Sequence, residues 1–394
     1  MKTFAALNSA LNSALSLALA LTTVLAGCGG DDGTTDGSAD APDADGGLAD
    51  APDSGEATRP TVFAVAGDFM AGAPGASATV ELQGLTATQH VAPTGAVSSD
   101  PIVRLIENKL YVVNRFGANN VTVLTPNAFA GAPQQFATGA GSNPQDVAVV
   151  GAKLYVPTLA GKGLTVVGAG ITAHEIDLSA LDSDGVPNCV SAYKVGTYIY
   201  VACALLDENF MPRGNAKVAI IDSATDTVKS ALTVTLTTAN PISLFEQLPD
   251  GNLVISTVPS FTDTTTGGVE LVTTGATPTA AGRIIINTAL GGYASALAVS
   301  KAGSPILWMA VSAYPAGSLR GYDLTSRELW PAAVSPTTQT IGDVTTCADG
   351  EVAVSDTTMA NNGIRIYASD LTERTTAALA IGLPPTSTHG LACY

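Results

Sequence analysis

Residues 143–168 read NPQDVAVVGAKLYVPTLAGKGLTVVG, and this stretch decides the fold. Its segments DVAVV, KLYVPT and GLTVV are short, rich in β-branched residues and separated by turns that contain glycine. Such segments predict antiparallel strands joined by hairpins. The segment HEIDL at 174–178 supplies an outer fourth strand. The stretch therefore predicts one four-stranded β-sheet.

The same unit recurs along the chain. Copies begin near residues 100, 143, 188, 240, 292 and 343, at intervals of 43, 45, 52, 52 and 51 residues. This period is typical of the blades of a β-propeller. A body of about 335 residues is also too long for one ordinary core unless repeated units build it. The repeats therefore predict six complete blades.

The two ends of this body predict how the ring closes. The last residues, 388–394 (THGLACY), resemble an isolated first strand, and 61–69 (TVFAVAGDF) resemble a second strand without its partner. Joined together, they form one composite blade and remove two exposed strand edges. We therefore predict an all-β, seven-bladed β-propeller with four-stranded blades over residues 60–394. Eight blades or two open sheets are the alternatives.

Three segments carry a family resemblance. KLYVVN at 109–114 and KLYVPT at 153–158 match a second-strand motif, and VAIIDSATDTV at 218–228 matches a third strand with its turn. In these motifs the chain resembles the YVTN and NHL families of bacterial β-propellers. The resemblance covers nearly all of residues 60–394 and implies a fold, whereas a propeller fold does not specify a chemistry.

The N-terminus resembles a bacterial lipoprotein signal. Residues 1–27 contain an early Lys2, an apolar core and small residues, and Leu25-Ala26-Gly27-Cys28 closes the segment. We expect cleavage before Cys28, lipidation of that cysteine with fatty acyl chains such as palmitate, and membrane anchoring in the bacterial cell envelope. The anchored body would face the periplasm or the cell surface. The alternative is an ordinary secretory signal in which Cys28 is incidental.

Residues 28–59 are predicted to form a disordered acidic tether. They carry nine acidic side chains and no aromatic residue, so they cannot bury a core. Of the chain's net charge of −17, the leader contributes +1 and residues 28–58 contribute −9, which leaves −9 for residues 59–394. No basic stripe is available to neutralise phosphates, and this argues against nucleic acid as a partner.

Four cysteines follow Cys28 in a compartment that permits disulfides. Cys189 and Cys203 flank a hairpin turn, and Cys347 and Cys393 occupy matching places on innermost strands. We therefore expect the pairs Cys189–Cys203 and Cys347–Cys393, the second of which would fasten the ring. Buried, unpaired thiols are the alternative.

Catalytic motifs are absent from the sequence: it contains no HExxH, no GxSxG elbow and no phosphate-binding loop. Polar residues do recur where innermost strands begin, and the chain loosely resembles propeller lactonases of the gluconolactonase type. Under that alternative, a divalent metal would polarise an ester carbonyl. Otherwise these residues cap turns, and no cofactor is expected. The candidate ligands are Asp100, Asp146, Asn188, Asn240, Asp343 and His389.

Large apolar residues recur in the loops between second and third strands. These loops emerge on the same face as the connections between blades, where apolar side chains could anchor a protein or a small ligand. They could equally cover their own blades. We therefore predict a non-enzymatic binding or scaffold module. Its candidate binding residues are Phe116, Phe210, Met211, Arg213, Phe261 and Tyr314, and similar loop residues are Phe69, Leu159 and Met359.

Overall fold

The computed structural model describes residues 60–70, 73–90, 96–260, 264–313 and 315–394. In this part of the chain, seven antiparallel sheets surround a common axis. The prediction of a seven-bladed, all-β propeller is thereby confirmed. Helical structure in the same residues is limited to α1 (Asn287–Leu290) and to two 3-10 turns, Ser179–Leu181 and Ser230–Leu232.

Each blade begins with a strand at the axis and continues outward along the chain, except the composite blade, whose innermost strand comes last. In the composite blade the strands from the axis outward are β28 (Leu391–Cys393), β1 (Thr61–Ala66), β2 (Ala76–Glu81) and β3 (Thr86–His90). The second and third blades contain β4 (Pro101–Ile106), β5 (Lys109–Asn114), β6 (Asn120–Leu124) and β7 (Gln134–Ala137), then β8 (Ala148–Val150), β9 (Lys153–Pro157), β10 (Gly163–Val167) and β11 (His174–Asp177).

The remaining blades follow the same order. The fourth and fifth contain β12 (Cys189–Val195), β13 (Tyr198–Cys203), β14 (Lys217–Asp222), β15 (Thr227–Val228) and the extra β16 (Val234–Thr235), then β17 (Glu246–Gln247), β18 (Leu253–Thr257), β19 (Gly268–Val272) and β20 (Ala280–Ile286). The sixth and seventh contain β21 (Tyr293–Val299), β22 (Ile306–Ala313), β23 (Ala316–Asp323) and β24 (Glu328–Leu329), then β25 (Ile341–Thr346), β26 (Val352–Asp356) and β27 (Gly363–Tyr367).

The seventh blade differs from the predicted four regular strands. Outside β27, the described chain makes only isolated pairings, Ile364 with Leu379 and Tyr367 with Glu373. Between them, the backbone N–H of Ile366 donates to the hydroxyl of Thr375, at 3.3 Å, instead of to a backbone carbonyl. A side-chain acceptor thus replaces one hydrogen bond of the ladder, and the outer strand is irregular.

The chain ends close the ring as predicted. Val62 pairs with Cys393 and Ala64 with Leu391, antiparallel. The two backbone hydrogen bonds between Thr61 and Tyr394, at 2.8 and 3.0 Å, complete the pairing. A strand from the end of the chain therefore supplies the axial partner of the first strand, so that neither strand leaves this edge open.

Apolar packing between adjacent blades forms the core. Seven clusters of buried side chains each join two neighbouring blades. Both faces of an inner strand are consequently covered. This explains why residues 62–66 of β1, VFAVA, are all apolar and all buried. Full burial of a valine or phenylalanine side chain contributes about 1.5–3 kcal/mol.

Both predicted disulfides are present. Cys189 and Cys203 lie directly opposite each other on β12 and β13. Cys347 and Cys393 connect the seventh blade to the composite blade across 46 residues. In the chain-entropy account, a loop of this length is worth roughly 4 kcal/mol. The second disulfide therefore reinforces the same closure as the pairing of β1 with β28.

The propeller has two distinct faces. The loop face carries the loops between second and third strands, such as 204–216 and 357–362, together with the blade-to-blade connections. The hairpin face carries the turns between first and second strands, such as 107–108 and 300–305. Pro60 lies at the hairpin face because Thr61 pairs with Tyr394, at the end of the chain's last strand.

Candidate functional site

A cavity of about 460 Å³ lies on the axis. The innermost strands of all seven blades wall it, and it extends to Glu107 and Lys301 in turns of the hairpin face. Its volume is in the range of small-molecule sites. The ring of blades therefore encloses a cavity large enough for a small molecule, on the side opposite the loop face.

A buried ion pair lies beside this cavity. Arg104, in β4, donates through Nε and Nη2 to the two oxygens of Asp146, at 2.9 and 3.1 Å. Ser191 Oγ and the backbone N–H groups of Val147 and Ala192 donate to the same carboxylate, at 2.8 to 3.0 Å. Asp146 is fully buried, and these five hydrogen bonds replace the water that its carboxylate loses.

Two side chains cross the axis between blades that are not neighbours. Arg104 Nη1 in the second blade reaches Glu246 Oε1 in the fifth, at 3.3 Å. The ring of His389, at the entrance to the composite blade, accepts a hydrogen bond from the backbone N–H of Leu244, at 2.9 Å. These contacts fill the channel at this level, and Arg104 and His389 contribute to the lining of the cavity.

The hydrogen bond to His389 fixes its tautomer. Because Nε2 accepts the Leu244 N–H, the proton of the neutral ring is on Nδ1. Burial, together with the positive charges of Arg104 and Arg115, holds the pKa of His389 well below its usual range. The ring is therefore neutral at physiological pH.

Asp343 is a second buried carboxyl group, and its surroundings differ from those of Asp146. Its Oδ2 accepts the backbone N–H groups of Gly390 and Leu391, at 2.7 and 3.1 Å. Its Oδ1 is buried and has no hydrogen-bond partner among the described residues. Burial raises the pKa of Asp343 to about 7, although backbone N–H groups oppose the shift. The residue also lines the cavity.

The other proposed metal ligands serve turns and ion pairs. Asp100 accepts from Arg115 Nε, at 3.1 Å. Asn188 donates to the carbonyl of Leu159 and accepts from the N–H of Leu206, and the amide of Asn240 donates to the carbonyl of Val258. A divalent ion at these positions would have to displace existing donors. Among the described residues, no three His, Cys, Asp or Glu side chains form a group that could hold a metal.

A conformational reason explains why asparagine recurs at these entrances. Asn143, Asn188, Asn240 and His389 all have left-handed backbone, with φ between 50° and 52°. Asparagine tolerates this region better than most residues because its short polar side chain can bond locally. The recurring asparagines thus turn the chain into innermost strands, and His389 occupies the corresponding place in the composite blade.

The loop face carries exposed apolar side chains. The exposed large hydrophobic side chains of the described chain all lie there, with exposed fractions from 36% for Phe210 to 73% for Met359. Apolar surface concentrated on one face of a protein marks an interaction surface. These side chains are Phe69, Met70, Phe210, Met211, Ile286 and Met359.

The remaining candidate binding residues are less uniform. Phe116 is half-buried. Arg213 is paired with Asp184, at 2.8 Å, and with Asp182, at 3.4 Å. Phe261 and Tyr314 lie outside the described residues, as does Cys28, the predicted lipidation site. The apolar loop residues therefore lie on the loop face, whereas the axial polar residues lie at the channel. The sequence alone predicts both groups near the channel.

Sequence reasoning missed Arg104, Glu246 and Lys301, which all line the cavity. The one available signal was Arg104, a charged residue inside the otherwise apolar strand PIVRLI. A charge on an innermost strand requires a buried partner. The partners themselves could not be deduced, because Glu246 is 142 residues away.

No helix among the described residues has the length and apolar character that a membrane crossing requires.

Comparisons with known proteins identify the fold. No family model matches the chain, and no curated protein matches it. Among solved structures, the chain is similar to apo AztD from Citrobacter koseri, with 13% identity, a TM-score of 0.50, and coverage of 85% of this chain and 98% of the other. It is also similar to a "putative 6-phosphogluconolactonase" from Bacteroides uniformis, with 11% identity, a TM-score of 0.57, and coverage of 86% and 100%.

A third similar structure is the β-propeller domain of Cps50 (Swd1) from Myceliophteria thermophila, with 8% identity, a TM-score of 0.54, and coverage of 75% of this chain and 91% of the other. Because such identities carry no information about residues in a site, these likenesses establish the β-propeller architecture alone.

Proposed function

We infer that this protein is a lipid-anchored module of the bacterial cell envelope that binds a partner protein through its loop face. The observation that carries this proposal is the concentration of exposed large apolar side chains, including Phe210, Met211 and Met359, on that face. A protein partner with an apolar patch would bury them, and such anchors commonly dominate the binding energy of an interface.

The direction of the chain supports this choice of face. The predicted tether, residues 28–59, joins the propeller at Pro60, which lies at the hairpin face. If the 31 residues that follow Cys28 (29–59) form the predicted flexible tether, they would span about 30 Å, and more where like charges repel. Attachment at the hairpin face leaves the loop face free to meet a partner, whichever membrane carries the anchor.

Site-specific photo-crosslinking in the source bacterium tests the proposal. A photoreactive residue replaces Met359 or Met211 on the loop face in one set of strains. In the control set it replaces Lys194, which is exposed at the hairpin face. We expect one discrete crosslinked protein from the loop-face positions only. Equal crosslinking from both faces, or none from the loop face, would refute the assignment.

A matched substitution measures the strength of the contact once that protein is purified. Phe210→Ala should weaken its binding by about thirtyfold, which corresponds to about 2 kcal/mol. The unfolding temperature should change much less than the affinity, since more than a third of the Phe210 side chain is exposed. Asp370→Asn, a substitution in an exposed turn, is the control that should bind normally.

A further inference from the structure

The cavity contains an acceptor without a donor. Asp343 is 1% exposed, and its Oδ1 has no hydrogen-bond partner among the residues the structure describes. Buried polar atoms are nearly always hydrogen-bonded, and an unpaired buried carboxylate oxygen is costly. Asp146 shows how the same fold satisfies a buried carboxylate when no ligand is involved, with five donors.

Two of the three cationic side chains that line the cavity are engaged by other groups, and the third, Lys194, is exposed at the hairpin face. Arg104 bonds to Asp146, Glu246 and the carbonyl of Phe245. Lys301 Nζ donates to the carbonyl of Cys393, at 3.1 Å. No ion pair joins a cationic side chain to Asp343 among the pairs in the described chain. Of the two carboxyl groups in the lining that are not exposed, Glu246 is paired with Arg104, whereas Asp343 has no cationic partner among the described residues.

The walls around this carboxyl group are mixed. Leu105, Val149, Leu297 and Val299 supply apolar surface, and Arg104, Glu246 and Lys301 supply charged groups. Small-molecule sites combine apolar surface with a few oriented polar groups. The space would accommodate an apolar or aromatic body, and a charged head group would reach Asp343.

We propose that the channel binds a small organic amine, whose ammonium group donates to Asp343 Oδ1 while its apolar body packs between Leu105, Leu297 and Val299. An ammonium group supplies both the hydrogen-bond donor and the positive charge that Asp343 lacks, and charge-assisted hydrogen bonds are the strong ones. A carboxylate ligand would meet like charge at the same place. This site is independent of the loop face and does not rest on the proposed protein partner.

Calorimetric titration of the full chain tests the proposal with three probes of one shape. Benzylamine carries the ammonium group, benzyl alcohol carries a neutral donor, and benzoate carries the opposite charge. We expect benzylamine to bind at least about tenfold more tightly than benzyl alcohol, with no binding of benzoate. Benzoate binding as tightly as benzylamine, or no benzylamine binding at millimolar concentration, would overturn the proposal.

Two variants locate the binding. Asp343→Asn keeps the shape of the side chain and removes its charge, so it should weaken benzylamine binding by about tenfold or more. Glu328→Gln makes the same charge change at an exposed position on β24 and should have no effect. Unchanged affinity in Asp343→Asn would show that the amine binds elsewhere.

A third variant keeps the test decisive if Asp343→Asn does not fold. Thr345 lines the cavity from β25 and is half-buried, so Thr345→Trp should fill the space without disturbing the core. We expect this variant to lose benzylamine binding. Retained binding in folded Thr345→Trp protein would place the amine outside the channel and refute the site.

Discussion

At the scale of single residues, two buried aspartates show how surroundings decide what a carboxyl group does. Asp146 is compensated by two hydrogen bonds from Arg104 and by three further hydrogen bonds. Asp343 receives the backbone N–H groups of Gly390 and Leu391 on Oδ2 and has no cationic partner among the described residues. The first group therefore holds blades together, whereas the second keeps an unused acceptor in the cavity wall.

The raised pKa of Asp343 makes stability depend on pH. Its pKa of about 7 in the folded protein exceeds the ordinary value of 3.8, so the folded state binds the proton more tightly. Its contribution to stability is complete below pH 4, is lost as pH rises towards 7, and is then constant. Asp343→Asn removes this dependence. We expect the unfolding temperature of the variant, relative to wild type, to rise between pH 5 and pH 8.

Thermal unfolding of both proteins at each pH checks this prediction, with Glu328→Gln as a control that should follow wild type. The shift of about three pKa units corresponds to roughly 4 kcal/mol across the whole range. A difference between Asp343→Asn and wild type that is the same at pH 5 and pH 8 would contradict it.

The ion pair at the axis predicts a larger loss from a single change. Arg104→Ala leaves Asp146 buried without its cation, and removal of one partner from a buried pair typically costs about 3–5 kcal/mol. Urea denaturation should show this loss. The double variant Arg104→Met with Asp146→Asn should recover part of it, because the fully buried charge of Asp146 is removed together with its cation, although Glu246 also loses Arg104. A single variant that loses less than about 1 kcal/mol would show that Asp146 tolerates the missing cation.

At the scale of strands and blades, the sequence predicted most of the strands and their assignment to blades. KLYVVN and KLYVPT became the second strands β5 and β9 because their residues suit a strand covered on both faces. The outer strand of the seventh blade could not be read in the same way. Its irregularity depends on the hydroxyl of Thr375 bonding to Ile366, a contact that strand propensities do not encode.

Ring closure makes a prediction at this scale. Deletion of 388–394 removes β28, together with Cys393 and the backbone partner of Thr61. The innermost edge of β1 would then be exposed, and such edges promote aggregation. We expect a lower unfolding temperature and oligomers in size-exclusion chromatography.

The matched control for this deletion is Cys347→Ser with Cys393→Ser, which removes the disulfide and keeps β28. This variant should lose stability, by roughly 4 kcal/mol in the chain-entropy account, and remain monomeric. A truncated protein that stays monomeric and unfolds at the wild-type temperature would disprove the closing role of β28.

At the scale of the whole molecule, the ring brings together residues that are distant in sequence, and this limits what the sequence could predict about sites. The recurrence of Asp146, Asn188 and Asn240 correctly indicated the starts of innermost strands. The contacts that define the cavity, such as Arg104 with Glu246, exist only because seven blades close around one axis. The apolar loop residues were visible in the sequence, but their exposure together on one face depends on the arrangement of all seven blades.

The last prediction concerns the anchor. If Cys28 is lipidated, acyl chains hold the protein at the membrane, and each buried CH₂ contributes about 0.8 kcal/mol. Cys28→Ser removes the acceptor thiol and should release the protein from membranes into the soluble fraction. Gly29→Ser is the neighbouring control that keeps Cys28 and should remain in the detergent phase with wild type. Membrane-bound Cys28→Ser protein would contradict lipidation, and mass spectrometry of the mature N-terminus would then identify the true cleavage site.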